Sequence, residues 1–422
     1  MPKLLDIFCK VIDNYGDIGV CWRLSADLAS RGQRVRLWTD DASALQWMAP
    51  DGCPGVEIRA WSEPLNLLDT AAADVVIEAF GCNIDHKYIA NYLCRTSEKC
   101  LFSPWVNLEY LSAEAFAAKN HGLPSPVLAG LGAGAVKHFF YPGFTAGTGG
   151  LLREPDLVLR QARFDRAAWL LEFGITLDTA RGERLMSLFC YEPPALDALL
   201  QQLERDPTPT RLLVAHGRPA AAVRASLARL AQLARLAPLE GKIRHFPTWN
   251  IDSLLSILYL PVLTQLQFDE LLWACDINFV RGEDSLVRAI WAGKPFVWQI
   301  YPQDDGAHHA KLTAFLHMMA APASLRRFTL QWNSVALAGD VVSDGGSDGG
   351  NDAGIDGKID GRIDGILAPP ASSGAHPLGL QPADLEAFDL PAWNASVDAL
   401  RTRLFAQIDL TTQLIAFVDR LK

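Results

Sequence analysis

Short apolar runs alternate with amphipathic segments along the first half of the chain. Leu4 to Cys9 is a compact apolar run, then comes a glycine-bearing loop, Asp13-Asn14-Tyr15-Gly16-Asp17-Ile18-Gly19. Val20 to Ala29 follows with apolar positions at helical spacing and stops near Gly32. Val35–Trp38, Val75–Ile77 and Leu101–Ser103 are further predicted strands. A second series starts near Leu185–Tyr191 and runs through Leu212–Ala215, Ile243–Phe246, Ile257–Leu260, Ile277–Val280 and Phe296–Ile300. Helical patterns over Ala220–Leu236, Phe268–Cys275, Ser285–Ala292 and Ala307–Met319 separate these strands. Strands alternating with helices predict βαβ units around parallel sheets. Two consecutive series predict an α/β protein with two Rossmann-like doubly wound domains facing a cleft.

The pattern changes twice. Residues 341–374 hold Asp/Gly-rich turn formers, with an Ile-Asp-Gly repeat at 355, 359 and 363. That composition predicts a flexible surface insertion. Its spacing matches no calcium-binding nonapeptide array. The tail carries Val397, Leu400, Leu404, Ile408, Leu414, Phe417 and Val418 at helical intervals. The expected organisation is therefore a first domain over 1–178 and a second over 179–392. Residues 393–422 are expected to return as a helix onto the first. The glycine-rich stretch 142–154 reads equally as an ordered loop or as the approach to a hinge.

Composition narrows the function classes. The chain has 422 residues, half of them hydrophobic and a fifth charged, with a net charge of −10. That balance disfavours a general nucleic-acid surface, which requires clustered positive charge. No apolar window reaches the length of a membrane span, and the N-terminus lacks a signal-peptide pattern, so a cytoplasmic protein is expected. The eight cysteines form no Cys-x-x-Cys pair and read as reduced thiols.

Candidate chemistry falls in loops after strands, at the carboxyl edge where doubly wound folds bind ligands. Asp13 and Asp17 bracket Asn14, Tyr15 and Gly16 in the first such loop. Two carboxylates would repel a pyrophosphate and suit a cation; one aspartate alone reads better as a helix cap. A Gly-x-Gly-x-x-Gly fingerprint is absent, which disfavours a nicotinamide dehydrogenase. Arg281-Gly282-Glu283-Asp284-Ser285 lies between a strand and a helix. There the helix start attracts phosphate, Arg281 adds a charged contact, and Glu283 faces a sugar, a base or the acceptor. An ordinary capped helix competes with that reading. Phe189 and Tyr191 end a strand where aromatics stack on a base or fill a rim. His308, His309 and Lys311 follow Tyr301-Pro302-Gln303. The two histidines, being adjacent, are expected to point apart and not to form a metal site.

Several runs resemble the elongation factor P arginine rhamnosyltransferases. They are Asp13 to Leu24, Trp105 to Glu114, Phe140 to Phe144, Leu272 to Asp276, Asn278 to Ser285, Trp291 to Trp298 and Ile300 to Gln303. The resemblance implies a GT-B fold and inverting transfer of rhamnose from dTDP-β-L-rhamnose, with no metal or other cofactor. It implies elongation factor P as the protein acceptor, modified on one arginine to aid ribosomes stalled at proline runs, with no nucleic-acid or membrane partner. By the same resemblance Asp13, Asp17 and Glu283 are functional. Phe189, Tyr191, Gln265, Arg281, Asp284 and Ser285 are expected to hold the nucleotide sugar, joined in the cleft by Asn14, Tyr15, Gly16 and Gly282. The competing expectations are a GT-B enzyme with a lipid, cell-wall or small-molecule acceptor, and a non-catalytic nucleotide-sugar-binding module.

Overall fold

A computed structural model describes residues 2–12, 15–62, 72–98, 104–130, 132–234, 254–303, 306–335 and 385–421. The predicted strands Leu101–Ser103 and Ile243–Phe246, the insertion 341–374, and Asp13 and Asn14 lie outside the described residues.

The first sheet contains β1 (Leu4–Cys9), β2 (Arg34–Thr39), β3 (Val56–Ala60), β4 (Val75–Ala79), β5 (Trp105–Leu108), β6 (Pro124–Pro126) and β7 (Val136–Phe140). Its order is β3-β2-β1-β4-β5-β7-β6. All neighbours are parallel except β6 with β7. The central strand β1 is covered on both faces, as parallel sheets require. Leu5, Ile7 and Cys9 pack with the Gly16–Ser30 helix on one face, and Phe8 packs with Trp38, Tyr88 and Tyr92 on the other. Asp6 interrupts the apolar run yet is fully buried. It is register partner to Arg36 on β2, which donates to it at 2.6 Å, and the Tyr88 hydroxyl donates to the same carboxylate.

The second sheet contains β8 (Arg184–Leu188), β9 (Thr210–Val214), β10 (Leu255–Tyr259), β11 (Ile277–Arg281) and β12 (Phe296–Gln299). Its order is β10-β9-β8-β11-β12, all parallel. In both sheets the strand order reverses beside the opening strand, so the first loop of each series lies at the switch point. Two such sheets facing a cleft make the GT-B architecture expected from the sequence.

The chain crosses between the sheets earlier than residue 178. Helices Leu157–Arg163 and Arg166–Glu172 precede that position, yet Trp169, Leu170 and Ile175 pack with Leu185, Leu213 and Leu271 of the second body. The tail also needs correction, because it divides. In helix Leu390–Phe405, Trp393, Val397, Leu400 and Leu404 join the core of the second sheet. Only helix Leu410–Arg420 returns to the first, through Leu410, Leu414, Phe417 and Val418. Residues 142–154 form an ordered strap. Gly150, at φ 73°, lies where a Cβ would come within 2.6 Å of the Ile408 carbonyl, so any side chain there would push the tail off.

Between the halves lies a buried ion network. Arg23, on the Gly16–Ser30 helix, donates to Asp269 at 3.0 Å and pairs with Asp284 at 3.0 Å. Arg288 grips Asp269 at 2.7 and 2.8 Å and Glu154 at 2.8 Å. Arg160 adds a 3.3 Å contact to Asp269. Burial alone would raise the Glu154 carboxyl, but Arg288 and Arg23 outweigh it and hold the group at about 2.

Removing one partner from such a network leaves an uncompensated charge. Asp269→Asn should cost about 3–5 kcal/mol in denaturant unfolding. For Glu154, the folded value lies below the unfolded one of about 4.3, so its contribution is complete above that pH and fades as pH falls toward about 2. Glu154→Gln should therefore lower the unfolding midpoint at neutral pH and flatten the acid fall in stability, read by urea titration at successive pH values.

Candidate active site

Two compartments open between the sheets, and Gly16 and Glu283 line both. The larger has a cavity volume of about 290 Å³ and lies mainly against the second sheet. Arg281, the last residue of β11, is buried there with its guanidinium carbon 4.5 Å from the Phe189 ring and 4.4 Å from the Tyr191 ring. Its Nη1 donates to the Cys190 carbonyl at 3.2 Å. Two aromatic faces and a carbonyl thus fix one cation, as cation–π contacts allow.

Helix Asp284–Ala292 starts immediately after this turn, with Glu283 at the cap and no side-chain cap bond. Its first N–H groups have no partners within the helix, and Glu283, Asp284 and Ser285 line the compartment, a setting that favours an anion. The Ser285 hydroxyl accepts the Arg281 N–H at 3.0 Å and donates to the Arg281 carbonyl, so it braces the turn. Gly282, at φ 65°, makes the turn possible, and its carbonyl accepts from Trp298 Nε1 at 2.7 Å. Asp284 is turned toward Arg23. Gln265 opens helix Gln265–Ala274 and donates to the Gly19 carbonyl at 3.0 Å, across the cleft. Tyr15 meets Trp47 edge to face at 5.0 Å on the opposite wall.

The second compartment, about 220 Å³, is lined by Asp17, Glu283, Phe80, Tyr110, His308 and Lys311 among others. Asp17 is 3% exposed and lies in the first turn of its helix, not at the cap, which is Tyr15. Its Oδ2 accepts the Ile12 N–H at 2.9 Å, so the carboxylate pins the start of the loop while facing the cavity. Glu283 accepts the Leu111 N–H at 2.8 Å and Lys311 Nζ at 2.7 Å. Burial raises its carboxyl above the ordinary range; Lys311 and the Leu111 N–H pull the other way, and Asp17 adds to the rise. Phe80 holds φ 58° and stacks on Tyr110 at 4.5 Å. A left-handed phenylalanine costs about 1–3 kcal/mol, a strain that clusters at functional sites.

Phe189, Tyr191, Gln265, Arg281, Gly282, Glu283, Asp284, Ser285, Tyr15 and Gly16 are thus gathered at one cleft with Asp17. Sequence reasoning missed Arg23, Phe80, Tyr110 and Lys311 as site residues. Arg23 and Tyr110 lie inside the motif runs, while Phe80 has no sequence signal. The two histidines do not point apart: the His308 and His309 rings meet with centroids 4.2 Å apart, and His308 Nδ1 accepts the Gln303 N–H at 3.1 Å. Among the described residues no three His, Cys, Asp or Glu side chains converge as a metal site, and no helix is long and apolar enough to cross a membrane.

Fold and cleft together define a GT-B glycosyltransferase. Residues 5–419 match the family described as elongation factor P rhamnosyltransferase EarP. A protein-arginine rhamnosyltransferase of Pseudomonas aeruginosa is 45% identical over 347 residues, covering 78% of this chain and 86% of that protein. One from Neisseria meningitidis is 37% identical over 322 residues, covering 74% and 78%. A solved structure concerned with EarP-mediated arginine glycosylation of translation elongation factor EF-P aligns over 99% of both chains, with 27% identity and a TM-score of 0.56. The chain belongs to the EarP family, and its activity is rhamnosyl transfer to an arginine side chain.

Close approach of the halves depends on Gly19. A Cβ there would stand 3.3 Å from Gln265 Nε2 and 3.7 Å from Asp284 Oδ2. Gly19→Leu should wedge the helices apart and lower transfer by about 10²-fold with unchanged circular dichroism, since small misplacements of reacting groups cost that much.

Proposed function

We propose that the donor is dTDP-β-L-rhamnose, that the acceptor is an arginine of elongation factor P, and that transfer inverts the anomeric carbon without a metal. The observation that carries this reading is the division of the cleft. One compartment presents the Phe189–Arg281–Tyr191 stack and a helix start, which suit a base and a diphosphate. The other presents Asp17 and Glu283, which suit a guanidinium. Modification of a translation factor implies a cytoplasmic enzyme.

A guanidinium stays protonated, with a pKa of about 12.5 or more, so a carboxylate near 4 cannot deprotonate it first. That gap of about 8 units corresponds to about 11 kcal/mol. The proton must leave late, once the attacking nitrogen has begun to bond the sugar and become acidic. In our reading Asp17 takes that proton. Asp13 holds the guanidinium by charge-assisted hydrogen bonds, and Glu283 contributes from the opposite wall. As nitrogen bonds the anomeric carbon, the bond to the diphosphate oxygen breaks on the far side. The departing charge meets Arg281 and the N–H groups of Asp284 and Ser285.

Incubation with dTDP-rhamnose and elongation factor P should add one deoxyhexose mass to the acceptor, and an Arg→Lys change in the acceptor should abolish it. Failure with this pair, but transfer with another nucleotide sugar or acceptor, would reassign the substrate. Asp17→Asn should lower the rate by about 10²–10⁴-fold and leave calorimetric donor affinity unchanged. Arg281→Met should weaken donor binding by at least about tenfold. Chelator-treated enzyme should keep its rate.

A further inference from the structure

We propose that Lys311 is a positioning residue for rhamnosyl transfer, holding the Glu283 carboxylate charged and in one orientation at the wall of the acidic compartment. This rests on the functional role given to Glu283 above.

Both oxygens of Glu283 are taken by different parts of the chain. Oε2 accepts the Leu111 N–H from the loop after β5, and Oε1 accepts Lys311 Nζ from helix Ala307–Met318. Together these fix the carboxylate plane. Lys311 is itself fixed, with Nζ 5.8 Å from the centroid of Tyr110, the ring that stacks on strained Phe80. An ion pair on an open surface does little. This one lies at the cavity wall, each side chain only 20% exposed.

The surroundings explain why a cation is needed there. Asp17 faces Glu283 from the Gly16–Ser30 helix, and Asp284 follows it on its own helix. Glu109 and Arg288 line the small adjoining cavity with Glu283, and His308 lines the acidic compartment beside Lys311. Asp17 and burial both favour a proton on Glu283, and Lys311 opposes them. A protonated Glu283 would donate a hydrogen bond where an acceptor for a cation is wanted. Removing Lys311 raises the Glu283 carboxyl further, so activity that needs the ionised form is lost at a higher pH.

The test is the pH profile of kcat for wild type, Lys311→Met, Lys311→Arg, Glu283→Gln and the Lys311→Met/Glu283→Gln double variant, each also with His308→Gln to remove the imidazole that lines the same compartment. Donor affinity is read by calorimetry and folding by near-ultraviolet circular dichroism. Lys311→Met should lower kcat at pH 7 by about 10–100-fold, with donor affinity within about twofold of wild type. Its acid limb should move up by about one pH unit, so that alkaline pH restores part of the rate, and Lys311→Arg should keep the wild-type limb. Lys311→Met should add nothing in the Glu283→Gln background. A loss equal at every pH, or a further loss on top of Glu283→Gln, overturns the proposal. Full activity of Glu283→Gln alone instead removes the role of Glu283, a separate failure.

Discussion

The network of Arg23, Arg160 and Arg288 with Glu154, Asp269 and Asp284 is the constraint on which the site depends. Buried ions lose hydration that their mutual attraction regains only in one close geometry. Such a network is therefore a poor source of stability but a strict gauge of register. Here it joins the helix that begins beside Asp17 to the helix capped by Glu283. Asp17 is in the first turn of the helix carrying Arg23, and Glu283 precedes Asp284 directly. The two carboxylates belong to different sheets, and the salt bridges fix how they face each other.

That placement gives the cleft an electrical division suited to its reaction. A rhamnosyl donor ends in an anion and an arginine acceptor is a cation, so one uniformly charged pocket would reject one of them. The second-sheet compartment carries Arg281, wedged between two aromatic rings where it needs little water to be held. The compartment facing Phe80 and Tyr110 carries Asp17, while Asp284 in the other is paired with Arg23. Glu283 stands on the boundary of both. Its environment is contested, because burial and Asp17 push it toward protonation while Lys311 and a backbone N–H resist.

The sequence was most informative where burial is two-sided. Strands β1, β4, β8, β11 and β12 are mostly apolar because both faces are covered, and the polar residues that interrupt them, such as Asp6, Glu78 and Asn278, are themselves buried. Strand β3, with its half-exposed Val-Glu-Ile-Arg-Ala run, carries no such signal, nor does β7 with Lys137 and His138 at its start. The site's loops were legible from their position after strands and from acidic and glycine spacing. What could not be read were contacts between residues far apart in the chain. Two carboxylate partners of Arg23 lie 246 and 261 residues away, and no local pattern announces them. The same holds for Lys311, which looks like one polar residue beside two histidines until the fold brings Glu283 to it. The boundary at 178 fell late for a related reason: nothing local in Leu157 to Ile175 tells which sheet buries it.

The tail shows how the two bodies are kept in reach of each other. The chain crosses outward near Leu152–Glu154 and returns between helices Leu390–Phe405 and Leu410–Arg420, and the two crossings are bonded side by side. Leu410 donates its N–H to the Leu151 carbonyl at 2.9 Å. Arg153 caps the end of the first tail helix, donating to the carbonyls of Phe405 at 2.9 Å and Gln407 at 3.1 Å. A cation at that end also matches the helix dipole. Arg31 then holds Asp409, the cap of the second tail helix, at 2.7 Å. Arg153 is followed directly by Glu154 of the ion network, so the bonded crossings and the salt bridges set one register between the two bodies.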